Sequence, residues 1–199
     1  MPEDRRREAA PAPVAPEPGS IADTFAALLP GVALNPIQGA RDVLLNVSRE
    51  DAHKVLEVAK TSDKLQMDFL RDLCGVDYEA EGLEVVYQLY SYSLRHSVTV
   101  KARVPVEDPR IASAVDLWNA ADWHERECRD MFGIVFEGHP NLVPILLPDD
   151  MLDHYPLRKD NPLAPLEEWQ GTMLGDNMGS AGHIPPGSGI EVSASAESE

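Results

Sequence analysis

Hydrophobic and polar positions follow two different periods along the chain, and each period predicts an element. From Leu83 the run LEVVYQLYSYS is dense in Val and Tyr. The run HSVTVKARV then sets Val98, Val100, Ala102 and Val104 on one side and Ser97, Thr99, Lys101 and Arg103 on the other. A two-residue repeat of this kind is that of a half-buried strand, so two antiparallel neighbours joined around Leu94-Arg95 are expected. RDVLLNV, residues 41 to 47, predicts a further brief strand. Helical spacing occurs in IADTFAALL, opened by Ser20 and Asp23 and closed by Pro30-Gly31, and again in EDAHKVLEVAK, where Ala52, Val55, Leu56 and Ala59 share a face behind the cap Ser48-Asp51. TSDKLQMDFLRDLCGVDY is expected to begin with a turn of helix and become extended near Leu73 to Tyr78. After Pro105 and Pro109 a helical stretch is expected from about Ile111, bent before Asn119.

NAADWHERECRDMF predicts a third main helix, capped by Asn119 and Asp122 and stopped by Gly133. On it Asp122 precedes Arg126 by four residues, Arg126 precedes Asp130 by four, and Glu125 precedes Arg129 by four. Pairs at that spacing stabilise a helix by about 0.2–0.5 kcal/mol each, which would account for much of its charge as a solvated or interface face. Ala121, Cys128 and Met131 would pack on the sheet with Trp123 near their edge, and Glu127 is left without a partner on the helix. Beyond it, prolines at 140, 144, 148, 156, 162 and 165 forbid a long helix or a central strand. The same segment carries Leu142, Ile145, Leu146, Leu147, Met151, Leu152, Tyr155 and Leu157, too apolar for a free linker. An extended arm lying on a protein surface, its own or a partner's, fits both facts.

These elements predict an α+β domain in two layers, helices packed on one mixed or antiparallel sheet, followed by the extended proline-rich C-terminal arm. Composition marks its limits. Residues 1 to 19 hold five of the 17 prolines and read as a disordered lead; residues 20 to 139 form the domain, 140 to 174 the docking arm, and 175 to 199 a flexible acidic tail. A net charge of -17 argues against binding to nucleic-acid phosphates or an anionic membrane surface. Two cysteines, Cys74 and Cys128, with no secretory signal before them, point to a reducing cytoplasmic setting. No apolar run reaches the length of a membrane span, so work at a membrane would require another protein to hold the chain there.

His124, Glu125 and Cys128 suggest a broken zinc-hydrolase motif, since His124 and Cys128 stand four apart on one helical face. Two ligands do not make a zinc site, and His139, His154 and Cys74 stand at no recognised spacing. A buried thiol is the simpler expectation for Cys128. The chain has no GxSxG, phosphate loop, dinucleotide fingerprint or CxxC. Asp149 and Asp150 after Pro148 read as the start of a turn before they read as a cation site.

Glu125, Arg126, Glu127, Asp130, Met131, Phe132, Gly133, Ile134, Phe136, Gly138, His139, Pro140, Asn141 and Leu142 fill one uninterrupted pattern, followed by ILLPDD and HYPLRKD. That pattern resembles the signature of the C-subunit family of respiratory NADH-quinone oxidoreductase, a peripheral-arm subunit of complex I, and the likeness covers residues 40 to 165 approximately. Val143-Pro144 departs from it, since the family usually has two basic residues there. The resemblance implies a structural subunit without flavin or iron-sulfur cluster of its own. It would lie in the peripheral arm at the cytoplasmic face of the membrane, beside the quinone-site large subunit and the iron-sulfur subunits, with FMN and clusters in its partners. An equivalent subunit of a membrane-bound hydrogenase or other-donor dehydrogenase is the near alternative. The docking surface expected on this basis comprises Glu125, Arg126, Glu127, Asp130, Phe132, Gly133, Gly138, His139, Pro140, Asp149, Asp150, Pro156, Leu157, Arg158, Lys159 and Asp160.

Overall fold

The computed structural model describes residues 14–17, 19–148, 151 and 154–161. Three α-helices, α1 (Ile21–Leu28), α2 (Arg49–Thr61) and α3 (Ala121–Phe132), accompany strands β1 (Pro36–Gln38), β2 (Val43–Val47), β3 (Phe69–Asp77), β4 (Leu83–Ser91), β5 (His96–Val104), β6 (Arg110–Ala112) and β7 (Val135–Glu137). The main sheet has the order β1-β2-β5-β4-β3. Its β4–β5 hairpin is antiparallel, as alternation predicts, while β2 joins β5 in parallel, so the sheet is mixed. Leu45, Val100, Tyr87 and Leu73 face one another across four strands and are all buried, which fixes the register by keeping one whole row out of water.

Local signals explain α2 fully. Ser48 Oγ accepts the Asp51 N–H at 3.1 Å, and the four periodic residues Ala52, Val55, Leu56 and Ala59 enter the core. At α1 the cap is displaced by one residue: Ser20 makes no capping bond, and Asp23 reaches back to the Gly19 N–H instead. On the sheet's other face Glu84, almost without exposure, meets Lys101 at 3.1 Å and Arg103 at 3.4 Å, so a charge inside an apolar strand is matched by two cations from the strand beside it.

Three expectations are corrected. The strand expected near Leu73 begins at Phe69, because the β4 pairing extends to Tyr90 opposite it. The helical stretch from Ile111 does not form. Ile111, Ala114, Val115 and Trp118 have helical spacing, but Arg110–Ala112 is a strand paired in parallel with β7, Ser113 N–H binds Glu137 O, and Ala114 N–H binds a side chain of α3. The strand pairing holds residues 110 to 112 extended, so no helix starts there, and only a turn follows, with Leu117 and Trp118 N–H on Ala114 O. A second, two-stranded sheet, β6-β7, therefore stands beside the main one. Third, α3 is preceded by Ala120, not capped by Asn119 or Asp122. Of the lead, residues 14–17 are described, and Val14 O accepts the Gln38 N–H at 2.7 Å. Residues 1–13, the arm beyond residue 161 and the acidic tail lie outside the described residues, as do Asp149 and Asp150.

Candidate functional site

The signature residues meet where α3 passes between the β6–β7 sheet and the arm. None of the three expected i,i+4 ion pairs forms among the described residues; Arg129 turns to its neighbour Asp130, and Asp122, Glu125, Arg126 and Asp130 take partners distant in sequence. Asp122 Oδ1 takes His139 Nε2 at 3.1 Å, while His139 Nδ1 accepts the Asn141 N–H at 3.0 Å. This pattern puts the His139 proton on Nε2 and ties the turn after β7 to the first turn of α3. Arg126 bridges to the carbonyls of Val143 and Pro144 at 3.0 and 3.4 Å, with its guanidinium 5.1 Å from the Trp123 ring. Trp123 stays 60% exposed, with Arg126 beside its ring.

Glu125 is wholly buried. Its two oxygens accept the Ser113 hydroxyl and the Ala114 N–H, each at 2.7 Å. Burial pushes its carboxyl up from 4.5 to about 7, against the pull of those two donors and with Asp116 and Asp122 adding to the rise. The Tyr87 hydroxyl, buried beside it, finds no hydrogen-bond partner among the described residues and is itself pushed well above its ordinary value by burial, then by Glu125. Asp130 has the opposite balance. Burial works to raise it, but the N–H groups of Ile145 and Leu146, both at 2.8 Å, and of Leu147 converge on Oδ2, with Arg129 at 3.4 Å, and together they hold it below the ordinary carboxylate value.

The stop of α3 receives the far part of the arm. Gly133 adopts φ 74°, and a Cβ there would stand 2.6 Å from Tyr155 Cζ and 2.8 Å from Arg158 Nη2. The left-handed backbone favours glycine, and a Cβ would also have to push aside the ends of the Tyr155 and Arg158 side chains. Arg158 Nε donates to Phe132 O at 2.7 Å and its guanidinium lies 4.4 Å from the Tyr155 ring. Leu157 N–H reaches Met131 O, Lys159 N–H reaches Asp77 Oδ2 at 2.8 Å, and Lys159 Nζ meets Glu79 at 3.4 Å. The arm therefore lies on its own domain over these residues. Phe132 is buried, its ring so close to β3 that a Cβ on Gly75 would be 2.5 Å away.

The expected docking set divides accordingly. Glu125, Asp130, Phe132, Gly133, the His139 ring and Arg158 are committed within the chain. Glu127, Gly138, Pro140, Leu157, Lys159 and Asp160 remain exposed, with Arg126 and Pro156 half-buried. Arg158 donates to Phe132 O, and Lys159 meets Glu79. Ser113, Ala114, Tyr155 and Asp77 were missed, because a backbone N–H or a single polar side chain far along the chain carries no periodic signal. His124 Nδ1 stands 3.8 Å from Asp72, Cys128 Sγ points at Leu73 O, and no group of three metal-binding side chains gathers among the described residues. Burial drives the Cys128 thiol upward, with Cys74 and Glu127 adding, which suits packing and not nucleophilic attack.

A two-layer α+β domain whose signature helix is clasped by its own C-terminal arm is the class that fold and site define. Comparison with known proteins makes this specific. Residues 45–167 match the family model described as respiratory-chain NADH dehydrogenase, 30 Kd subunit. The C-subunit of NADH-quinone oxidoreductase from Roseiflexus castenholzii is 42% identical over 139 residues, 69% of this chain and 79% of that protein. The C-subunit of F(420)H(2) dehydrogenase from Methanosarcina mazei is 44% identical over 57% of this chain and 75% of its own length. Among solved structures, a chain of the membrane-bound sulfane sulfur reductase, an archaeal respiratory membrane complex, superposes with a TM-score of 0.66 at 25% identity, covering 78% of this chain and 92% of that one. A trypsin-resistant fragment of Nqo5 gives 0.52 at 31% identity over 61% of this chain and 96% of the fragment. The chain belongs to the 30 kDa subunit family of respiratory-chain NADH dehydrogenase, which is the C-subunit family of NADH-quinone oxidoreductase.

Proposed function

We propose that this chain is a structural and assembly subunit in the peripheral arm of a proton-pumping NADH-quinone oxidoreductase, without catalysis of its own. Family membership supports the complex, and the use of the signature supports the role. Glu125 and Asp130, the buried carboxylates of the motif, bind Ala114 N–H and the arm's N–H groups, so the signature chemistry is spent on holding a shape. Its partners would be the quinone-site large subunit and the iron-sulfur subunits, which with FMN carry electrons from NADH to quinone. Among the described residues no helix is long and apolar enough to cross a membrane, in keeping with a peripheral subunit held by the complex at the cytoplasmic face.

A second reading, the same role in a complex fed by another donor, is favoured by the Methanosarcina relative and the sulfane sulfur reductase neighbour. Gentle affinity purification from membranes separates the two. Co-purification of an FMN-bearing, NADH-oxidising module supports the first reading; a module oxidising another donor supports the second; a monomer in the soluble fraction overturns both.

A further inference from the structure

One face of α3 is left open. A groove of about 130 Å³ runs between α3 and β3, an edge strand of the sheet, lined by Leu73, Gly75, Cys128, Met131, Phe132 and Leu157. Two carboxylates, Asp72 and Glu127, join this apolar lining, and no lysine or arginine does. Glu127 is exposed and forms no ion pair among the described residues, whereas the other acids of α3 are all engaged. Leu157 is 56% exposed at the same groove, although its backbone is fixed to Met131 O. A rigid apolar slot with an unmatched negative charge selects for a side chain that fills it and a cation that stands beside it.

We propose that this groove receives a segment of a partner subunit that carries a large apolar side chain next to a lysine or arginine. The proposal rests on the reading of the chain as a subunit of a larger complex. A second copy would bring the same two carboxylates against each other. The chain's own C-terminal residues hold no lysine or arginine after Lys159. Its N-terminal Arg5-Arg6-Arg7 supplies cations, but its neighbours are Asp4 and Glu8, with no large apolar residue beside them.

The test places benzoylphenylalanine at Leu157 in the full-length chain, in native membranes, with irradiation before purification and peptide sequencing of the cross-linked product. The expected product joins Leu157 to another subunit at a large apolar residue flanked by lysine or arginine. A product with residues 1 to 13 of the same chain, with a second copy, or with a segment lacking a basic residue overturns the proposal, as does no product. Glu127→Lys is expected to lower both cross-link yield and retention in the purified complex by about tenfold or more, and Glu127→Gln by less. Unchanged retention in Glu127→Lys, with circular dichroism matching wild type, overturns the electrostatic part. If the wild-type chain purifies with cofactor-bearing subunits but Leu157 cross-links to none, the groove proposal alone fails. If the wild-type chain purifies alone, the assembly reading fails and the groove proposal with it.

Discussion

Glu125 and Asp130 lie on one helix and are both withdrawn from water, yet their surroundings treat the charge differently. Asp130 meets three backbone N–H groups and Arg129, while Glu125 meets two donors and two neighbouring acids, Asp116 and Asp122. The C-terminal half of α3 is therefore held by a charge the fold wants, and the N-terminal half by one it tolerates. Glu125 lies deeper and beside two acids, while Asp130 has more donors and a cation aimed at it, and these differences act together.

Removing the favoured charge should have the largest effect. Asp130→Ala leaves the arm's N–H groups without an acceptor and is expected to cost about 3–5 kcal/mol in urea unfolding, with new proteolysis at Arg158 and Lys159. An unchanged arm would show that the segment is held by its apolar residues.

The tolerated charge should show in the pH dependence. The folded Glu125 carboxyl titrates at about 7 against 4.5 in the unfolded chain, so its contribution is full below 4.5 and is lost as pH rises through 7. Wild type should lose up to about 3 kcal/mol from this group over that window. Glu125→Gln, which keeps an acceptor for Ala114, should remove that slope, and a slope surviving in the variant would assign it to another group. Asp130 acts in the reverse sense: with its folded value lowered beneath 3.8, its contribution is present above 3.8 and is lost only as pH falls through the lowered value.

At the seam between helix and arm, Gly133→Ala combines left-handed strain with displacement of Tyr155 and is expected to cost about 2 kcal/mol, read by thermal unfolding. The smallest effect should come from Arg126→Ala, about 1 kcal/mol through two lost carbonyl contacts. That cost should persist in an Asp122→Asn background, because the two residues do not pair. A loss that vanishes in that background would restore the helix-surface pairing.

This last contrast shows what the sequence made legible. The β4–β5 hairpin and α2 could be read because their stabilising contacts repeat at short intervals: Val98 and Val100 in one, Ser48 with Asp51 and then Val55 in the other. α3 was legible as a helix and misleading as a charge pattern. Arg126 has an acid four residues to either side and binds neither, since the carbonyls of Val143 and Pro144 are held within reach by the arm. Residues 111 to 118 failed for the same reason in reverse. Their spacing is helical, but β7 pairs with Arg110 to Ala112 and holds them extended. Of the candidate site, the importance of the run from Glu125 to Gly133 was visible and the direction in which its side chains face was not.

The bond from Lys159 to Asp77 spans 82 residues, and it joins β3, an edge strand of the main sheet, to the last described segment. During synthesis the sheet and α3 leave the ribosome before the residues that close over them. Until Tyr155 to Lys159 emerge, Phe132 O has no Arg158 and the Asp77 carboxylate no backbone donor from the arm. The arm also meets α3 across only 26 residues, from Arg158 to Phe132 O, so once Tyr155 to Lys159 have emerged they can close on a helix that is already present. A chain truncated before Tyr155 would lack the contacts at Phe132 O and Asp77 and leave the seam at Gly133 open.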